Sequence, residues 1–324
     1  MVVTHAFFFP AFGRRILPLQ FTPQKFNFNM SAPPVQPALL ELLNDSSAPY
    51  RDPLARLDWK AVDTDIWWLP PEALSLAGVE EFERLPVARR RRVSHYEFVH
   101  LLEVGLWLES VFIYRLGSSM DSLDDNQLRG RYLHEIREEA GHSLMFLELM
   151  SRSRIRLDSA ARKRPRLARQ LAHWLPVSSA LFWALAVVGE EFPDKLNRMV
   201  RHGVGDAAVS ALIYHMATLH IIDEARHIAH ARACCTEATR ALPVVLRLSL
   251  SPLLSNAISE FVRYLFFPTT AVYLAAGLSG SMAWHALALR NRQRRDWVIQ
   301  AIEPTLQFLR TQGWRVGQPR WLTR

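Results

Sequence analysis

His220-Ile-Ile-Asp223-Glu224-Ala-Arg226-His227 sets a glutamate between two histidines, four residues after the first and three before the second. At about 3.6 residues per helical turn, these three side chains leave the backbone on one face, within reach of one metal ion or of two adjacent ones. A single Glu-x-x-His on a helix is more often a surface pair. Here a second copy, Glu139-Ala-Gly-His142, stands about 85 residues upstream in another long run of helical period, and two further runs each carry glutamates among apolar residues.

From about residue 86 onward, apolar residues recur three and four apart, glycines are few and no alternating strand period is visible, so the chain reads as mainly helical. The spacing predicts helices over 87–116, 124–151, 176–201 and 206–236, followed by 243–262, 268–290 and 294–311. Breaks are expected at 117–125, in the basic loop around Pro165 and at 203–205. Pro193 falls inside the third helix and should kink it or end it early. Two Glu-x-x-His helices with two single-Glu helices form the ligand pattern of di-iron carboxylate bundles. The fold class is therefore all-α, a ferritin-like helical bundle with additional N- and C-terminal helices, occupying residues 86–324.

The seven candidate metal ligands are Glu109, Glu139, His142, Glu190, His220, Glu224 and His227. Glu109 has Leu102, Gly105, Leu106, Phe112, Ile113 and Leu116 at helical spacing around it, a setting in which a carboxylate needs a cation. It is preferred to Glu103, although antiparallel pairing with Glu139 suits Glu103 slightly better. Glu190 is preferred to Glu191 because it follows Trp183, Ala186 and Val187 on one face. His220 is either a third imidazole ligand or a core histidine. Glu97-x-x-His100 lies two to three turns from Glu109, too far to serve the same cluster, and is assigned to structure. Glu138, Asp223 and Arg226 either orient the ligand imidazoles or form ordinary surface pairs. Oxygen and imidazole donors without thiolate suit iron, with manganese as a possible substitute.

Composition excludes several classes. About half of the 324 residues are apolar, enough for a large core. Lys and Arg outnumber Asp and Glu 39 to 31 in patches such as 89–92 and 152–169, but no recognition motif or zinc spacing points to nucleic acid. Cys234 and Cys235 are adjacent, so there is no disulfide framework and a cytoplasmic location fits. The apolar stretches 175–188 and 265–278 fall short of the roughly 20 residues a membrane span needs and read as buried core helices. Residues 31–85, rich in proline, read as an extended segment with short helices, wrapped on the core and away from catalysis. Residues 1–30 read as a disordered or mis-started N-terminus, since Met30-Ser-Ala-Pro-Pro resembles an ordinary chain start.

At Gly105-Leu-Trp-Leu-Glu109, Glu135-Ile-Arg-Glu-Glu139-Ala-Gly-His142-Ser, Gly189-Glu190-Glu191 and His220-Ile-Ile-Asp-Glu224-Ala-Arg-His227-Ile, the sequence resembles the p-aminobenzoate N-oxygenase family of di-iron proteins. The resemblance covers about residues 50–290. It implies a ferritin-like fold, two iron ions bridged by oxygen, and a peroxo-diferric species that oxidises an aryl amine through hydroxylamine to nitro in secondary metabolism. It also supports Glu109 and Glu190 over their neighbours, though a longer interval from Glu190 to His220 than the family's leaves Glu191 open. The partners expected are an arylamine in an apolar pocket between the helices of Glu109, Glu190 and Glu224, O2, an external reductase or ferredoxin-like donor, and a second copy in a homodimer. The same ligand pattern is compatible with C–H hydroxylation of an aliphatic or carrier-bound substrate, or with a non-enzymatic iron-binding protein of the ferritin type.

Overall fold

The computed structural model describes residues 32–162, 164–202 and 209–323, so the expectation for residues 1–30 lies outside it. Short helices α1 (Pro37–Ser47), α2 (Pro53–Arg56) and α3 (Glu80–Glu83) lead into the long pair α4 (Val87–Ser119) and α5 (Asn126–Ser153). After α6 (Arg166–Trp174) comes a second long pair, α7 (Ala180–His202) and α8 (Ala211–Ala241). The chain ends with α9 (Val244–Phe266), α10 (Thr270–Ala275), α11 (Trp284–Arg290), α12 (Arg292–Thr311) and α13 (Arg320–Thr323). Among the described residues the one β feature is an isolated bridge between Trp67 and Val209. The fold is an all-α, ferritin-like bundle.

Local chemistry sets the boundaries. Pro86 precedes α4, where its missing N–H costs no helical bond. The Asp125 carboxylate accepts from the backbone N–H groups of Gln127 and Leu128 and so caps α5. Arg154, in the left-handed region with φ 57°, ends α5. Helix α4 packs along α5 and α7 along α8, with α1 and α2 against α5, α9 and α12 against α7, and α6 against α9. Leu102, Val104, Met145, Leu149, Val187, Ile213 and Met216 are buried where the long helices meet.

Three expectations need correction, and of the two effects expected of Pro193 the early end does not occur. Helix α7 begins at Ala180 rather than at 176, because Pro176 starts a turn whose carbonyl accepts from Ser179. It continues through Pro193 to His202, so the proline removes one helical donor, that for the Gly189 carbonyl, without ending the helix. The basic loop contains the unanticipated α6, whose Ala168, Leu171 and Ala172 cover apolar side chains of α4 and α7. Residues 268–290 form two helices, α10 and α11, parted by a turn at Gly277, where φ is 86°. The apolar run 265–278 is therefore not one helix. No helix of the described residues is long and apolar enough to cross a membrane.

Residues 32–85 contribute to the core, burying Trp68, Leu69, Leu74, Leu76 and Phe82. Ser75 donates to Glu97 through its backbone N–H at 3.0 Å and its hydroxyl at 2.5 Å. His100 places Nε2 2.8 Å from the Tyr264 carbonyl on α9. The Glu97–His100 pair thus joins α4 to the additions around the bundle.

Candidate metal centre

Glu109 on α4, Glu139 and His142 on α5, Glu190 on α7, and His220, Glu224 and His227 on α8 are all buried. The four helices bring them together in two groups. Glu109, His142, His220 and Glu224 offer ligand atoms within 4.8 Å of one another, and so do Glu139, Glu190, Glu224 and His227. Glu224 belongs to both. In the first group, Glu224 Oε1 lies 3.0 Å from His220 Nε2 and 3.5 Å from His142 Nδ1, while Glu109 Oε1 lies 3.5 Å from His220 Nε2. In the second, Glu139 Oε1 lies 3.2 Å and Glu224 Oε1 3.7 Å from His227 Nδ1.

The alternatives left open, Glu103 and Glu191, point elsewhere. Glu103 faces Arg162 at 4.0 Å. Glu191 accepts from Arg232 Nε at 2.5 Å and from the Thr305 hydroxyl at 2.7 Å, which ties α7 to α8 and α12. The i and i+1 positions of a helix diverge by about 100°, so only one of Glu190 and Glu191 can face the interior cluster.

Each imidazole is also held by its outward nitrogen. His142 Nε2 lies 3.2 Å from Asp223 Oδ2, and His227 Nε2 lies 2.9 Å from Glu138 Oε2. A carboxylate only accepts, so these ring nitrogens carry a hydrogen, and each Nδ1, on the opposite edge, faces the cluster, where its lone pair would bind a metal ion once the ion displaces its proton. His220 Nδ1 lies 2.7 Å from the Asn197 amide. The amide atom at that distance is Nδ2, which donates to Nδ1; turning the amide over would set Oδ1 against an Nδ1–H and leave the Nε2 lone pair for a metal ion between Glu109 and Glu224. Arg226 joins Asp223 at 2.5 Å to Glu138 at 2.8 Å, and its Nε donates to Ser47 Oγ at 2.9 Å.

Sequence reasoning missed Asn197, seven residues after Glu190 and hence on nearly the same face, and Ser47, for which no local signal exists. It also missed a further tier one turn away: Glu135 accepts from Arg131 and lies 2.9 Å from His230 Nδ1. Burial pushes the Glu135 carboxyl up, but His230 and Arg131 outweigh it and hold it at about 2. Its signal was in the spacing, since Glu135 precedes Glu139 by four residues and His230 follows His227 by three.

The fit to metal ions can be tested on the charges and unpaired atoms. Burial, then Glu224 beside it, holds the Glu190 carboxyl well above the usual carboxylate range. Burial opposes protonation of His142, yet Asp223, Glu139 and Glu224 raise it to about 9, and Glu139, Glu138 and Glu224 hold His227 well above the ordinary histidine value. Without a metal the carboxylates retain protons on their neighbours, so the site calls for cations. His220 Nε2 and His227 Nδ1, which face the clustered carboxylates, and Glu224 Oε2 are buried without a hydrogen-bond partner. The donor set fits a pair of iron ions.

A small cavity touches this cluster, lined by Gly105, Leu108, Glu109 and Phe112 of α4, Gly189, Glu190 and Pro193 of α7, and His220 and Glu224 of α8. This is where the sequence placed the pocket. A larger apolar cavity next to it runs between α4, α6, α7 and α9 and does not touch α8.

The chain belongs to the p-aminobenzoate N-oxygenase AurF family, which matches residues 33–313. That is a family of di-iron oxygenases. Similar curated proteins include the uncharacterized proteins Rv0885 of Mycobacterium tuberculosis and Mb0909 of Mycobacterium bovis, each 26% identical over 191 residues. The matches cover 56% of this chain and 54% of each relative, so the chain spans about half the length of the curated relatives it matches.

Proposed function

We propose that this chain is a non-haem di-iron monooxygenase that uses O2 to oxidise the nitrogen of an aryl amine. The observation that carries the reading is the convergence of four carboxylates and three imidazoles on two adjoining four-residue groups, buried and sharing Glu224. Glu109, His142, His220 and Glu224 would hold one iron ion, and Glu139, Glu190, His227 and Glu224 the other. Two ferrous ions in that position supply the electrons and the Lewis acidity for reaction with O2.

The protein's own residues do the rest. Asp223, Glu138 and Asn197 fix the ring orientations, and Arg226 keeps Asp223 and Glu138 in place while balancing their charge. Leu108, Phe112 and Gly189 form an apolar approach that excludes water and brings the substrate against the inner faces of Glu109 and Glu190. Renewed turnover draws electrons from an external reductase or ferredoxin-like donor.

Metal analysis of the purified protein, then anaerobic ferrous loading, mixing with O2 and product analysis tests the reading. About two iron per chain and N-hydroxy or nitro products from arylamines are expected. Absence of bound iron, or oxidation confined to C–H bonds of aliphatic acids, would refute it.

A further inference from the structure

We propose that the substrate of this site is an apolar aryl amine uncharged at neutral pH, carrying neither a carboxylate nor an alkylammonium group. This rests on the oxygenase reading above and deepens it by naming the substrate class.

The support lies in the walls around the cluster. The small cavity at Glu109 and Glu190 shares Leu108, Phe112 and Gly189 with the larger cavity, whose further walls include Trp107, Val111, Leu171, Leu185 and Phe261. On another side it shares Gly105, Pro193 and His220 with a third cavity walled by Leu101, Phe146, Leu196, Met216 and Leu265. In all three linings the ionisable side chains are candidate metal ligands themselves. The polar side-chain groups beyond these are the Asn197 amide, engaged with His220, and the Trp107 indole.

An ion entering such walls gives up its hydration and meets no counter-charge, and neither a carboxylate nor an ammonium recovers that loss. An aryl amine escapes it, because delocalisation of the nitrogen lone pair into the ring keeps the amine neutral near pH 7. An aliphatic amine is a cation there. p-Aminobenzoate, the compound in the family's name, is an anion at that pH, and the cavity linings offer its carboxylate no partner. Two arginines touch wall residues from outside the lining: Arg164, whose guanidinium lies over the Trp107 ring at 5.8 Å while it donates to the Glu103 carbonyl, and Arg115, a turn beyond Val111 on the same side of α4. The Arg115 Nε donates to the carbonyl of Ala172, a wall residue, at 2.7 Å, and one terminal nitrogen is buried without a partner. Arg115 itself is not part of the lining, and its bond to Ala172 serves a carbonyl of the last turn of α6.

The test is calorimetric titration of the iron-loaded protein under argon with 4-methylaniline, 4-aminobenzoate and 4-methylbenzylamine. We expect 4-methylaniline to bind at least tenfold more tightly than either ion. Leu171→Arg, which sets a cation in the wall, should strengthen 4-aminobenzoate at least fivefold. Equal or tighter binding of 4-aminobenzoate to the unaltered protein overturns the proposal. If Arg115→Gln then abolishes that binding, the ligand is an anion anchored at Arg115. Protein that binds iron and consumes O2 but does not prefer the neutral amine defeats this inference alone. Protein that prefers the neutral amine but holds no iron defeats the oxygenase reading and leaves the selectivity of the pocket standing.

Discussion

Glu138 Oε2 lies 2.9 Å from His227 Nε2, on the opposite edge of the ring from the Nδ1 that faces Glu139 and Glu224. The same carboxylate accepts from Arg226, so one buried group fixes both a ring and its tautomer. Glu138→Ala should therefore lower iron affinity by about 10- to 100-fold with the seven candidate ligands intact. Competition against a chromophoric chelator reads this directly, and unchanged affinity would reduce Glu138 to a packing residue.

Glu190 and Glu191 are neighbours with separate tasks. Glu190→Ala should lose metal from the group it shares with Glu139, Glu224 and His227, while Glu191→Gln should keep full occupancy. The second change weakens the contacts to Arg232 and Thr305 and should cost about 1–3 kcal/mol of stability. Iron content and urea unfolding of the two variants separate the roles. Metal loss from Glu191→Gln instead would exchange them.

Metal binding should stabilise the fold, because ions that bind only the native arrangement draw the equilibrium toward it. At a hundredfold excess of ion over its dissociation constant, the gain is about 2.7 kcal/mol per site. Stripping with a chelator should lower the melting temperature, and adding ferrous or manganous ion back should restore it. A melting temperature indifferent to both would mean that the cluster does not bind these ions.

Gly105 lets α4 approach α5 closely. A Cβ there would lie 2.7 Å from Cε2 of Phe146, whose ring sits edge-on to His220 at 5.4 Å between centroids. Gly105→Ala should force the buried phenyl ring toward His220, costing about 1–3 kcal/mol through overpacking. It should also reduce metal occupancy of the group containing His220. Stability rising by the amount expected for a better helix former, with occupancy unchanged, would show that the ring yields freely.

His100 gives a pH dependence away from the metal groups. Burial lowers it to about 4 against the bond to the Tyr264 carbonyl. Between pH 6.5 and 4 the unfolded chain takes up a proton that the folded chain refuses, so stability should fall as pH falls through that window. The full loss is about 3 kcal/mol. His100→Gln should flatten this part of the stability profile, and a profile identical to that of the unaltered chain would show that His100 does not control it.

The helical class and the positions of α4, α5, α7 and α8 were legible in the sequence because burying one face of a helix imposes an apolar period that survives without coordinates. The two Glu-x-x-His pairs were legible for the same reason, since residues three apart share a face whatever surrounds the helix. Other features were not local. Breaks such as the turn at Gly277 and the isolated helix α6 depend on the surface they pack against. The continuation of α7 through Pro193 reflects packing along α8, which outweighs one lost backbone bond.

By itself, then, the sequence determined which side chains share a helical face, and so which carboxylates and imidazoles were available as a set. Only the tertiary structure decided how faces from different helices meet: Glu190 inward and Glu191 toward Arg232, Asn197 behind His220, and Ser47 from the N-terminal segment against Arg226. The physical reason is that helical spacing fixes angles about one axis, whereas the separation and rotation of neighbouring axes are set by packing summed over the whole core, and no short stretch of sequence records them.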